Sequence, residues 1–181
     1  VSEFKAVLSS EFAPYGELSE HQLDLLEQHY QLLMRWNQKL NLTRIIDLRE
    51  IVQFHYCESL YLAQVLPKQQ LNVVDIGSGA GFPGIPVAIY RPDCNIDLVE
   101  SHKRKAVFLR EASRSLPNVR VLAQRGEDVT YRYDWVISRA VKAEDILSLH
   151  LGPNVAILGS VGQKLPWGHD RALSVFHVEH A

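Results

Sequence analysis

Apolar positions in the first 66 residues recur at helical intervals. Ser19 and Gln22 fit the ends of a capping box, and Leu23, Leu26, Tyr30, Leu33 and Leu40 follow at three-, four- and seven-residue spacings. A second box, Asp47 with Glu50, opens a stretch from Ile51 to Leu66 that Pro67 closes. Phe4, Val7 and Leu8 mark a shorter helix ahead of both. The pattern predicts a helical N-terminal cap over residues 1–70. From residue 71 the period changes. Short β-rich runs appear at Asn72–Ile76, Asn95–Glu100, Val119–Ala123, Trp135–Ser138 and Val155–Leu158. Helical stretches separate them: Pro83–Tyr90, Lys103–Ser115 and Lys142–Leu149. In the second of these, Val107, Phe108 and Ala112 are expected to face a core, with the Lys and Arg residues outward. Strands alternating with helices predict an α/β, doubly wound, mostly parallel sheet covered on both faces, over residues 71–181. A loop rich in Gly and Pro, Gly159–Gly168, precedes a last strand at Leu173–Val178.

The chain of 181 residues, 46% apolar and 22% charged, is ordinary globular composition, which removes collagen-like and disordered readings. That length suits one domain with a small appendage. Cys57 and Cys94 are too few for a disulfide framework or an all-cysteine zinc site and read as buried structural thiols. A reducing cytoplasm is the natural compartment. No apolar run approaches the roughly 20 residues that cross a bilayer, so no membrane partner is expected. Val1-Ser2-Glu3-Phe4-Lys5 does not read as a signal peptide, and Val1 implies an initiator residue removed or left out. The net charge of −2 hides an asymmetry. Residues 101–142 hold ten Lys/Arg and four Asp/Glu, a local +6, while the remainder, nine against seventeen, is −8. A local basic field of this kind suits phosphate.

The most informative stretch is Val73-Val74-Asp75-Ile76-Gly77-Ser78-Gly79-Ala80-Gly81-Phe82-Pro83-Gly84, which follows the first strand and opens a helix. A glycine-rich turn there lets a ligand approach the backbone and the helix N-terminus. Asp75 places a carboxylate at the strand end, where a pyrophosphate would be repelled and a cationic ligand welcomed. S-adenosylmethionine, with its ammonium and sulfonium, suits the site better than NAD. Glu100 ends the second strand and is placed to accept hydrogen bonds from both ribose hydroxyls. Gly126-Glu127 follows the third strand, where a backbone and an acid suit an adenine edge. Three acids at the carboxyl ends of successive strands point to a Rossmann-like class I methyltransferase sheet.

The acceptor is narrowed by what is missing. Ile137-Ser138-Arg139-Ala140-Val141 stands where an exocyclic-amine methyltransferase often carries an Asn/Asp-Pro-Pro-aromatic turn, and neither cysteine is placed as a pyrimidine nucleophile. An acceptor that is already nucleophilic remains, and guanine N7 is one; hydroxyl and carboxylate acceptors stay open. Arg139, at the crevice mouth, suits a methionine carboxylate or a phosphate; a surface arginine paired with Asp134 or Glu144 is the alternative. Lys103, Arg104 and Lys105, with Arg110 and Arg114, form a phosphate-contacting stripe beside the same rim. His21, His29, His150, His169, His177 and His180 show no ligand spacing that would suggest a metal; His177 and His180 are three apart but unsupported. No metal site is expected.

Together these residues resemble the glucose-inhibited division protein B family, the small-subunit ribosomal RNA guanine-N7 methyltransferases. The resemblance covers roughly residues 20–160 and rests on Trp36-Asn37, Asn41-Leu42-Thr43, His55 with Glu58-Ser59, Asp75–Pro86, Glu100 leading to Phe108-Leu109, Arg125 with Glu127, and Ile137–Ala140. It implies cofactor contacts at Gly77, Phe82, Gly126, Glu127 and Arg139, joined by Asp75, Gly79, Gly81 and Glu100 on the physical argument. It also implies methylation of guanine N7 in 16S ribosomal RNA of the small ribosomal subunit, with Arg139, His55 and Asn41 positioning the substrate. The chain reads as a monomer. A small-molecule methyltransferase and an inactive RNA-binding module of the same fold are the alternatives. Two departures stand out. Family members usually carry Lys-Gly after the fifth strand, where this chain has Ile157-Leu158-Gly159-Ser160. The short stretch beyond also leaves room for one strand where a closing hairpin needs two, so six strands rather than seven are expected, with an exposed edge.

Overall fold

The computed structural model describes residues 1–178. Capping sets the helix starts. Ser2 accepts from the Lys5 amide ahead of α1, Glu3–Phe12. Both halves of the Ser19/Gln22 box are made, at 3.1 and 2.9 Å, opening α2, Glu20–Asn37. Asp47 accepts from the Glu50 amide at 3.0 Å and begins α3, Leu48–Ile51. A π-helical segment, Val52–Cys57, carries the chain without a break into α4, Glu58–Val65. Leu66 is extended because Pro67 follows it.

The sheet contains β1 (Asn72–Ile76), β2 (Asn95–Val99), β3 (Val119–Leu122), β4 (Trp135–Arg139), β5 (Asn154–Gly159), β6 (Gln163–Lys164) and β7 (Ala172–His177). Helices α5 (Gly84–Tyr90), α6 (Lys103–Ala112) and α7 (Ala143–Leu147) connect the parallel strands. The order is β3-β2-β1-β4-β5-β7-β6, with β1 to β5 parallel and β7 antiparallel to both β5 and β6. Seven strands among the described residues correct the expectation of six. The missing one is the two-residue β6, inside the Gly- and Pro-rich loop and too short to show any period. Gly162, with φ +121°, turns the chain into it, and a side chain there would collide with the Leu173 carbonyl.

Side chains alternate across the sheet as a period of two requires. Val73, Ile96, Leu98, Ile137 and Ala156 face a core shared with α1, α2, α4 and α5; Val74, Val99, Val136 and Val155 face a smaller core with α7. The cap and one sheet face thus bury their apolar residues against each other. Val107 is half exposed, a correction to its expected core placement: Ala106 and Leu109, followed by the C-cap Ser113, make the inward stripe of α6, with Phe108 buried toward the cap. Cys57 and Cys94 are buried and free, and burial pushes the Cys57 thiol up.

At the amino ends of the strands lies a polar groove of ≈ 390 Å³ lined by Asn72, Asn95, Asp97, Asn118, Arg120 and Tyr133. Its groups satisfy one another. Arg120 pairs with both oxygens of Asp97 at 3.0 and 2.6 Å, and the Tyr133 hydroxyl donates to the same carboxylate at 2.5 Å. The Asn118 amide spans the carbonyls of Ala88, Arg91 and Cys94.

Candidate active site

β1 lies between β2 and β4, so the chain reverses its direction of winding there and a crevice opens at the carboxyl ends. The glycine loop fills the floor of that crevice. Gly77 and Ser78 donate to the Val99 carbonyl at 2.9 and 3.0 Å, and the Ser78 hydroxyl donates to the Asp75 carbonyl. Gly77, Gly79 and Gly81 have positive φ; at Gly81 an added Cβ would lie 2.6 Å from Ile85 Cδ1. Glu100 secures the loop from β2, accepting from Gly79 at 2.8 Å and from His102 at 2.9 Å. The cap holds it from the other side. His29 Nε2 donates to the Ala80 carbonyl at 2.8 Å, which leaves Nδ1 to accept from the Tyr56 hydroxyl at 2.8 Å. Burial lowers the His29 pKa to about 4, so the ring is neutral.

Two clefts flank Gly77. One, ≈ 250 Å³, is lined by Gly77, Glu100, Ser101, Arg125, Gly126 and Glu127. The other, ≈ 410 Å³, lies between the ends of β4 and β5 and is lined by Ala140, Val141, Lys142, Glu144, Ile157 and Val161. A Cβ on Gly77 would sit 3.6 Å from Val141, a wall residue of the second cleft, so the two clefts are neighbours. Ala140 takes φ +60°, which for a residue with a side chain costs of order 1 kcal/mol. That left-handed turn stops β4 immediately after Arg139.

Between the clefts and the cap a buried polar group surrounds Phe82. The His55 ring stacks on Phe82 at 4.6 Å, and the Arg139 guanidinium lies 5.9 Å from its centroid. His55 Nε2 bonds the Thr43 hydroxyl at 2.7 Å. Glu58, fully buried one helical turn beyond His55, pairs with Arg171 at 2.7 Å. Four side-chain atoms among the described residues are buried with no partner, and all belong to this group: His55 Nδ1, Asp75 Oδ1, Arg139 Nη1 and Arg171 Nη2. The other Asp75 oxygen accepts from the Gly84 amide at 3.0 Å. Burial pushes the Asp75 carboxyl up to about 7 and the Arg139 guanidinium down to about 10. His55 is held well below its ordinary value, by burial first and then by Arg139. Burial likewise raises Glu58, against the opposing pull of Arg171.

Gly77, Glu100, Gly126 and Glu127 therefore meet at one cleft, while Asp75, Phe82, Arg139 and His55 meet beside it. Asp75 is wholly buried beneath the glycine loop, on the strand face that packs under α5. Arg139 pairs with neither Asp134 nor Glu144. Asn41 is exposed and lies beyond the end of α2, without a hydrogen bond; Asn37 instead holds that turn through Leu42 and Thr43. Lys103, Arg104 and Arg110 are exposed on α6, Lys105 is partly buried, and among the described residues none of the four is in an ion pair. Among the described residues no group of three or more His, Cys, Asp and Glu is arranged to hold a metal; His180 lies outside them. The roles of His29 and Arg171 escaped the sequence reading. His29 was visible as a polar residue within the Leu26–Leu33 apolar stripe; Arg171, 113 residues from Glu58, left no local signal.

The sheet order and the glycine cleft define the Rossmann-like fold of class I methyltransferases. A solved Plasmodium falciparum structure, described as a putative protein-L-isoaspartate O-methyltransferase with S-adenosyl-L-homocysteine, shares it at TM-score 0.55. That likeness spans 99% of this chain and 92% of that one at 12% identity, and it speaks to the fold alone. A family profile described as rRNA small subunit methyltransferase G matches residues 22–155, and the chain belongs to that family. It is 39% identical over 160 residues to the ribosomal RNA small subunit methyltransferase G of Desulforamulus reducens, covering 83% of this chain and 67% of that protein. To the Chromobacterium violaceum protein of the same description it is 41% identical over 128 residues, covering 68% and 61%. The chain thus spans about two thirds of the length of these curated relatives.

Proposed function

We propose that this chain binds S-adenosylmethionine and directs its methyl group to N7 of a guanine in 16S ribosomal RNA of the small ribosomal subunit. One observation carries the cofactor reading. Asp75 Oδ1, an acceptor, and Arg139 Nη1, a donor, are both buried and unpartnered beside the glycine loop. An amino-acid end supplies the complementary pair, an ammonium for the aspartate and a carboxylate for the arginine. Glu100 already accepts from two backbone amides, yet each carboxylate oxygen keeps a further lone pair for a ribose hydroxyl. Gly77, Gly79, Gly81 and Phe82 shape the floor, and Gly126 and Glu127 take the adenine edge. When bound, the cofactor supplies an electrophilic methyl on a sulfonium, and its transfer to N7 moves one positive charge onto the purine and releases no proton.

The site fits an acceptor that needs no general base. Glu58 is committed to Arg171, and His55 is neutral with Nε2 bonded to Thr43. Catalysis then rests on orientation and exclusion of water. His55 and Asn41 stand on the RNA side, His55 by fixing Phe82 and Asn41 from its exposed turn. Lys103, Arg104, Lys105 and Arg110 take RNA phosphates, beginning three residues beyond Glu100. Residues 1–70 serve as the cap and 71–181 as the cofactor-binding domain, and the protein acts as a monomer in the cytoplasm. No helix among the described residues is long and apolar enough to cross a membrane. Incubation with labelled S-adenosylmethionine and small subunits lacking the modification should yield labelled N7-methylguanine. Label on a metabolite only, or subunit binding without label, would replace this function with a small-molecule enzyme or an inactive binding module.

A further inference from the structure

We propose that the cleft between the ends of β4 and β5 receives the guanine base, and that Glu144 reads its Watson–Crick edge while Lys142 donates to O6. The inference rests on the methyl-transfer function above and names the contacts that select the base. At ≈ 410 Å³ the cleft falls within the roughly 300–1,000 Å³ span of small-molecule sites. Its Val141 lies 3.6 Å from where a Cβ on Gly77 would sit, and Gly77 lines the neighbouring cleft, so a base held there lies next to the glycine loop. Its walls are largely apolar, from Ala140, Val141, Ile157 and Val161, and suit a flat purine face. Two charges interrupt them, Lys142 and Glu144, both exposed, and among the described residues neither side chain is engaged in an ion pair or hydrogen bond.

That charge pair matches guanine and not adenine. Guanine offers N1–H and N2–H donors side by side to a carboxylate, with an O6 acceptor adjacent for an ammonium. Adenine presents an unprotonated N1 to the carboxylate and an amine to the ammonium, so both contacts become repulsive. Gripping the Watson–Crick edge leaves N7 free on the opposite side of the ring. The arrangement also favours the reaction itself. As the N7–carbon bond forms, the sulfur–carbon bond breaks, the cofactor leaves as a neutral thioether, and the purine becomes a cation. N1–H then donates more strongly, so the Glu144 carboxylate holds the methylated state more tightly than the starting base.

The test uses short single-stranded RNAs carrying one guanosine, inosine or adenosine, in equilibrium binding without cofactor and in methyl transfer with it. Inosine keeps N7 and O6 and lacks only the N2 amine. The wild-type protein should bind the guanosine RNA about tenfold more tightly than the inosine RNA and discriminate further against adenosine. Glu144→Gln, an isosteric change at an exposed position, should bring the guanosine-to-inosine ratio close to one and lower the methylation rate on guanosine more than it lowers affinity. Equal or absent binding of the guanosine and inosine RNAs by the wild-type protein overturns the proposal, as does a ratio untouched by Glu144→Gln. The binding arm needs no cofactor, so a failure to bind S-adenosylmethionine counts separately, against the methyl-transfer function.

Discussion

The two ends of the sheet each hold a buried acid near an arginine, and they use the pair in opposite ways. At the amino end, Asp97 takes Arg120 on both oxygens and the Tyr133 hydroxyl besides, and nothing is left over. At the carboxyl end, Asp75 is buried and Arg139 partly buried, and each keeps a buried atom unpartnered. The amino-end groove is not the smaller of the two; it has ≈ 390 Å³ against ≈ 250 Å³ for the glycine cleft. Size therefore does not single out the glycine cleft. Buried polar atoms are almost always satisfied within a folded chain, so four orphans gathered in one place support the proposed ligand site there. The satisfied pair stabilises; the unsatisfied one carries a desolvation cost that the proposed ligand would relieve.

The largest effects should separate those two roles. Asp75→Asn removes the charge that meets an ammonium and should weaken S-adenosylmethionine binding by at least about 30-fold in calorimetry, about 2 kcal/mol. Because folding holds that carboxyl up to about 7, the same change should leave Tm unchanged or raise it above that pH. Asp97→Ala should do the reverse, costing about 2 kcal/mol of stability, roughly 6 °C in Tm, with cofactor affinity intact. If both variants lose the same property, the contrast between the two ends is broken.

A smaller effect sharpens the carboxyl end alone. An ammonium favours the ionised form of Asp75, so cofactor affinity should fall as pH drops through about 7 and level off above it. In Asp75→Asn the profile should be flat over that window. A wild-type affinity indifferent to pH there would mean that Asp75 does not meet the ammonium. The smallest effect belongs to the α6 surface. Lys103, Arg104 and Lys105 changed together to Ala should reduce the salt slope of RNA binding by about 2, with cofactor affinity unchanged.

Much of this was legible in the residues. The five parallel strands, the capping residues Ser19 and Asp47, and the glycine loop announce themselves because their signals are local: period, cap chemistry and turn chemistry. What stayed hidden depends on partners distant in sequence. β6 exists only because β7 pairs with it. Val107 and Phe108 are equally apolar neighbours, and only the packing of α2 and β3 against α6 decides which is buried. Asn41 and Asn37 are alike in kind, and the fold of the turn gives the bonds to Asn37. Asp75 stands out in the sequence for its charge at a strand end, but its burial under the loop, which makes it a proton-dependent group, depends on the packing of the folded chain.

The orphaned Asp75 and Arg139 atoms are the proposed seat of an amino-acid end. Calorimetry of S-adenosylmethionine against its decarboxylated analogue, on the wild-type protein and on Arg139→Ala, tests this most directly. The wild-type protein should bind S-adenosylmethionine at least about tenfold more tightly than the analogue, and Arg139→Ala should bind the two alike. Equal affinity of the wild-type protein for both, or a preference that survives in Arg139→Ala, would contradict it.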